Sequence, residues 1–215
     1  MIRLWASGLV VLIAACGMCA GEEPGEIFSG PQKGESLGKL TIRGVLGDLQ
    51  GKDIEPIAQA GGKPLLLIFV HEVNRPSVGV TRILGDYAAK RSNDGLHCSV
   101  VFLSDDATET EAWMKRASGA LPKDVTLGIS QDGKEGPGEY GLNRKVTMTI
   151  LIAKEGKVTA NFALVQPSIQ ADAPKVLQAI VDVVGGKVPS LEELGFGGRA
   201  PERTKSPRPQ PRKAE

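Results

Sequence analysis

Aromatic residues are scarce, at 4% of the 215-residue chain, which argues against the stacking platforms that hold single-stranded nucleic acid. Charge of one sign is missing too. The 26 basic and 25 acidic residues leave a formal net charge of +1, so no global field draws the chain to nucleic acid or to a membrane. There are three cysteines, Cys16, Cys19 and Cys98, and only Cys98 lies in the central, domain-like region. One thiol gives no internal disulfide framework. A Cys19–Cys98 bridge stays open if Cys19 survives processing, but nothing in the pattern favours it. The two histidines, His71 and His97, have no metal-ligand spacing with Glu72 or the other acids, so no metal is expected. The Gly133–Gly138 stretch lacks the Gly-Lys-Ser/Thr ending of a phosphate loop and reads as a flexible loop. No cofactor is expected.

The two ends differ from the middle. Arg3 followed by the apolar run Leu9–Ala15 reads as an export signal over residues 1–20, too short to span a bilayer stably. Ile13-Ala14-Ala15-Cys16 resembles a bacterial lipobox, which makes Cys16 the lipidation candidate and gives a membrane attachment. The small residues around Ala15–Ala20 equally suit an ordinary signal peptidase and simple secretion. A buried N-terminal helix is the bland alternative. Residues 21–38 are rich in Gly, Glu, Pro and Ser and read as a flexible linker. Residues 188–215 read as an extension and a Pro-rich tail. From about Gly195 onward, Arg199, Arg203, Lys205, Arg208, Arg212 and Lys213 face only Glu202 and Glu215. A solubilising tail explains this composition, and contact with an anionic surface is the sharper alternative.

Residues 39–187 alternate strand and helix patterns. Leu65–Val70 is a continuous apolar run, the mark of a strand covered on both faces. Val80, Ile83, Leu84, Tyr87 and Ala88 then recur at helical spacing, predicting a helix over about 76–90. Ser99–Leu103 is a second buried strand. Asp106 offers an N-cap with Glu109 three residues on, and Trp113, Met114 and Ala117 form an inner helix face. Thr147–Ala153 and Lys157–Leu164 flank Glu155-Gly156, a hairpin signal. A last helix carries Asp172 as candidate N-cap, a stripe of Val176, Leu177, Ile180, Val183 and Val184, and Gly185 as a stop. The order β-α-β-α-hairpin-α predicts an α/β fold, a three-layer α/β/α sandwich on a mixed central sheet.

Gly62-Lys63-Pro64-Leu65-Leu66-Leu67-Ile68-Phe69 resembles the first core strand of the thioredoxin-like superfamily. Ser99–Asp106, Tyr140-Gly141-Leu142 and Lys154-Glu155-Gly156-Lys157-Val158 resemble its second strand, the approach to its hairpin and the hairpin turn. The resemblance runs from about Leu40 to Val184 and is strongest to the exported redoxin and thiol-specific-antioxidant branch. It implies a thioredoxin-like fold and a site where the first core strand meets its helix.

Two departures change the expected chemistry. Asn74-Arg75-Pro76-Ser77 stands where the resemblance places Cys-x-Pro-Cys. Disulfide exchange needs an attacking thiolate and a resolving thiol. An amide is not nucleophilic, and an unassisted serine hydroxyl is barely ionised at neutral pH. Lys145-Val146-Thr147 stands where the family places a cis-proline whose backbone pairs with bound peptide. A cis bond before a non-proline costs ~3 kcal/mol, so Val146 is expected trans. The expectation is a redox-inactive binding or scaffolding module of the cell envelope. Its candidate site is the degenerate corner Asn74, Arg75, Pro76, Ser77, Val146 and Thr147, where Arg75 and free amides would hold an acidic or peptide-like ligand. Its partner would be a protein, peptide or small ligand, not nucleic acid. The alternatives are a redoxin-type enzyme using Cys98 or a partner's thiols, and a structural lipoprotein acting through its tail. His97 beside Cys98 is not expected to activate it, because strand neighbours point to opposite faces.

Overall fold

The run Leu65–Val70 becomes β3, an interior strand of a seven-stranded sheet in the computed structural model, which describes residues 27–196. The expected export signal with Cys16 and the tail from residue 197 lie outside the described residues. The remaining strands are β1 (Ile42–Gly44), β2 (Asp53–Ile54), β4 (His97–Phe102), β5 (Thr126–Ser130), β6 (Met148–Lys154) and β7 (Lys157–Leu164). Their order across the sheet is β2-β1-β5-β4-β3-β6-β7. β3, β4 and β5 are parallel, while β1 and β6 run antiparallel to their neighbours, so the sheet is mixed.

Why β3 is apolar throughout follows from its place. Leu66, Ile68 and Val70 enter one core cluster, and Leu65, Leu67 and Phe69 enter the other. The first cluster lies under three helices: α2 (Arg75–Lys90), α3 (Ala107–Arg116) and α4 (Ala173–Val184). Right-handed crossovers from β3 to β4 and from β4 to β5 put α2 and α3 on one face. Among the described residues the opposite face is covered by the five-residue α1 (Pro56–Ala60), the turns at Leu49 and Tyr140 and the N-terminal segment. The fold is α/β with a mixed sheet, as expected, but its second helical layer is thin. Tyr140 fills much of it: its ring meets Phe69 edge-on at 5.3 Å, and its hydroxyl donates to the Gly38 carbonyl at 3.0 Å.

Local signals explain the helices. On α2, Val80, Ile83, Leu84, Tyr87 and Ala88 are all buried. Gly85 lets α2 approach the 122 loop, since a Cβ there would come within 2.5 Å of Pro122. Asp106 caps α3 by accepting from the Glu109 amide at 2.8 Å. The Glu155-Gly156 turn joins β6 to β7 with both φ values positive, 54° and 72°, the conformation of a tight hairpin turn. Asp172 stands at the N-cap of α4, yet its carboxylate does not cap the helix and accepts instead from the Ser168 amide at 2.8 Å.

Three features depart from the sequence reading. β5 was hidden by Gly128, which interrupts its pattern because β1 passes so close that a Cβ would lie 2.8 Å from the Arg43 carbonyl oxygen. Residues 27–38, expected as part of a flexible linker, are fastened to the sheet. The Asn161 amide donates to the carbonyls of Ser29 at 2.9 Å and Pro31 at 2.8 Å, and Gly34 and Val158 backbones bond this segment to β7. At the other end Val188, Leu191, Leu194 and Phe196 pack against the helical core, so the folded unit runs beyond residue 187.

Candidate functional site

The corner after β3 is where the resemblance placed a reactive pair, and its geometry is that of a helix cap. Asn74 is the N-cap of α2, in extended conformation. Its Oδ1 accepts from the Ser77 amide at 2.9 Å, and the Ser77 hydroxyl accepts from the Asn74 amide at 3.0 Å. This is a reciprocal capping box, with serine in the place usually taken by glutamate or glutamine. The Ser77 hydroxyl also lies 2.8 Å from the Glu72 carbonyl, to which it donates. Ser77 is 0% exposed, so its candidacy as a ligand-binding residue is corrected: solvent does not reach it and its hydrogen-bonding capacity is filled inside the protein. Pro76, in the first turn, has no amide hydrogen to leave unpaired. Arg75 is exposed at the same turn.

Val146 and Thr147 come beside this corner, with the peptide bond before Val146 trans. Both are buried. The Thr147 carbonyl accepts from the His71 amide at 3.0 Å, its amide donates to the Leu164 carbonyl at 2.8 Å, and its hydroxyl donates to the Val165 carbonyl at 2.8 Å. The Lys145 amide donates to Asn143 Oδ1 at 2.9 Å and the Val146 amide to the Asn143 carbonyl at 3.2 Å. All three amides of the 145–147 turn are therefore bonded within the protein. The backbone pairing with a bound peptide that the family's proline loop implies has no free donor here.

Between the corner and this turn lies a cavity of ≈ 230 Å³ lined by His71, Glu72, Lys134, Arg144, Lys145, Val146 and Thr147. Of the six expected site residues only Val146 and Thr147 line it. Lys134 arrives from the glycine-rich 133–138 stretch, and Arg144 pairs with Glu135 of the same stretch. No sequence signal joined these cations, because 133–138 and 143–147 meet only through the fold.

His71 is the polar wall of this cavity. Burial lowers its pKa to about 4, so the imidazole is neutral at neutral pH. Its Nε2 lies 2.9 Å from the Thr149 hydroxyl, which lies 2.5 Å from the Ser29 hydroxyl. Ser29 accepts in turn from the Asn143 amide at 3.0 Å, and Asn143 Nδ2 donates to the Phe28 carbonyl at 3.1 Å. The N-terminal segment is thus tied both to His71 and to the turn that carries Arg144 and Lys145.

Cys98 is elsewhere. It pairs with Leu66 in register, four residues before the end of β3, or about 13 Å along the strand from Val70. The thiol is buried, and burial pushes its pKa up to about 12. It lines a cleft of ≈ 910 Å³ at the far end of the sheet, with Leu46, Leu96, His97, Pro122 and Leu127 among its neighbours. Among the described residues no group of three His, Cys, Asp or Glu side chains is placed to hold a metal.

The sheet order, the helix started at the β3 corner and the terminal hairpin with its helix define a thioredoxin-like fold. Solved structures agree. A protein described as thiol:disulfide interchange protein DsbE of Chlorobium tepidum superposes with a TM-score of 0.57, at 21% identity, over 72% of this chain and 99% of its own. Peroxidoxin BcpB of Mycobacterium tuberculosis superposes with a TM-score of 0.55, at 13% identity, over 71% of this chain and 97% of its own. A protein disulfide isomerase-like structure from Bacteroides thetaiotaomicron gives 0.55 at 18% identity, over 74% of this chain and 96% of its own. No family model matches the sequence, and no curated protein matches it.

Proposed function

We propose that this chain is a redox-inactive thioredoxin-like binding module, exported to the cell envelope, that works at the β3 corner. The observation that carries the reading is the capping box. The two positions that would hold the exchanging thiols hold Asn74 and Ser77, bonded to each other and to Glu72. Neither side chain is a nucleophile of the required kind. The corner keeps a cavity, and its lining carries three cations, which suits binding more than turnover. The signal-like N-terminus is the basis for export, with Cys16 the attachment point if the chain is lipidated.

A redoxin-type enzyme using Cys98 is the competing reading, and the open cleft at Cys98 is what favours it. Against it stand the buried thiol, its raised pKa and its distance from the corner. Disulfide-reductase and peroxide turnover by the mature protein, compared with Cys98→Ser, separates the two. The binding-module reading expects no turnover in either protein. Turnover that disappears in Cys98→Ser would overturn it.

A further inference from the structure

We infer that the end of the sheet around the His71 cavity is a docking face for a segment of another protein that presents an Asp or Glu side chain between apolar residues. The inference rests on the corner being a binding site and names the chemistry of its partner.

Charge supplies the first argument. Among the described residues, Lys134 and Lys145 have no carboxylate within ion-pair reach, whereas Arg144 is paired with Glu135. Glu72 is the single acid in the lining, and His71 is neutral at neutral pH. The cavity therefore has an excess of positive charge over a partly dry floor formed by Val146 and Thr147.

Exposed apolar surface supplies the second. Four large hydrophobic side chains are exposed among the described residues: Ile27 at 37%, Phe28 at 57%, Val73 at 42% and Val165 at 43%. All four belong to this end of the molecule. Val73 follows Glu72 in the corner. The Val165 carbonyl accepts from Thr147, and the Phe28 carbonyl accepts from Asn143, next to Arg144. Exposed apolar side chains on the segments adjoining a cationic cavity are a feature of protein-interaction surfaces.

Size supplies the third. At ≈ 230 Å³ the cavity falls below the ~300–1,000 Å³ of typical small-molecule pockets and suits an inserted side chain. With the amides of residues 145–147 already bonded, recognition falls to side chains, not to strand pairing with the partner's backbone. The N-terminal segment then has a clear part: Asn143 and Asn161 hold the Phe28–Ser29 backbone against the turn that carries Arg144 and Lys145.

The test is selection of a random peptide library displayed on phage against the mature protein, with counter-selection on a Lys134→Glu/Lys145→Glu variant. Both lysines are exposed, and circular dichroism checks that the variant is folded. The expected result is a consensus of acidic residues flanked by apolar ones. The winning peptide should lose affinity roughly tenfold in the double variant, and again in Phe28→Ser, and should weaken with salt. No enrichment, a consensus without acids, or affinity unchanged in the lysine variant would overturn the inference. So would inorganic phosphate displacing the peptide at comparable concentration, which would mark a small-anion site. Turnover assays on the same samples report separately on the non-redox reading.

Discussion

Replacing Ser77 by alanine tests whether the β3 corner is a cap or a reserved ligand site. The substitution removes the hydroxyl that accepts from the Asn74 amide and donates to the Glu72 carbonyl, and leaves both groups to find water. Loss of an N-terminal cap costs about 1 kcal/mol, and a backbone group left without a partner adds about 1 kcal/mol where water reaches it poorly. Ser77→Ala should therefore destabilise the protein by about 2 kcal/mol. Asn74→Ala removes the acceptor of the Ser77 amide and should cost about 1 kcal/mol. Because each residue is the other's partner, the double variant should cost less than the sum, by about 0.5–1 kcal/mol. Urea unfolding of the four proteins reads these values directly. Thermal unfolding should show Ser77→Ala lowered by roughly 4–8 °C for a domain of this size. Additive effects, each within about 0.3 kcal/mol of zero, would refute the capping argument and return Asn74 to the pool of free ligand-binding groups.

Cys98 should resist iodoacetamide in the native protein at pH 7 and react fully once unfolded, by mass spectrometry, since a thiol with a pKa of about 12 is ionised there only to the order of 10⁻⁵. Fast native labelling would refute the burial argument. His71 should make stability fall in mild acid. Its folded pKa, about 4, lies below the unfolded 6.5, so the unfolded chain takes up the proton first, and stability present above pH 6.5 is lost as the pH falls toward 4. Allowing for its partial exposure, the loss is about 1–2 kcal/mol, and His71→Gln should flatten that part of the pH profile of urea unfolding. The Thr81 hydroxyl on α2 is buried and has no partner among the described residues, so Thr81→Val should raise stability by about 1 kcal/mol in the same assay. Arg91 donates to the Gly185 carbonyl at 2.7 Å and to the Tyr87 hydroxyl at 2.8 Å, joining the end of α2 to the end of α4. Arg91→Ala should cost about 1–2 kcal/mol and speed amide exchange after Gly185; unchanged exchange would show that the two ends hold without it.

The sequence by itself determined the elements whose patterns are local. β3 and β4 are legible because a strand buried on both faces must be apolar at every position, and α2 and α4 because one face of each meets the core. The Glu155-Gly156 turn is legible because two successive positive φ angles restrict the residues that fit. The absence of a thiol pair at the corner is likewise written in Asn74 and Ser77. Only the tertiary structure decided the rest. β5 is a strand through its neighbours β4 and β1, with Gly128 chosen by the approach of β1 and not by strand propensity. Residues 27–38 have the composition of a linker, and it is the bonds from Asn161 and Val158 that fix them. The cavity is assembled from His71, Lys134 and Lys145, which lie far apart in the chain. Positions 71 and 147 meet because β3 pairs with β6, and position 134 arrives with the loop that leaves β5. A cavity lined by long-range neighbours leaves no pattern at any fixed spacing, so the chain shows where a thiol pair is absent, and the fold shows where its charges converge.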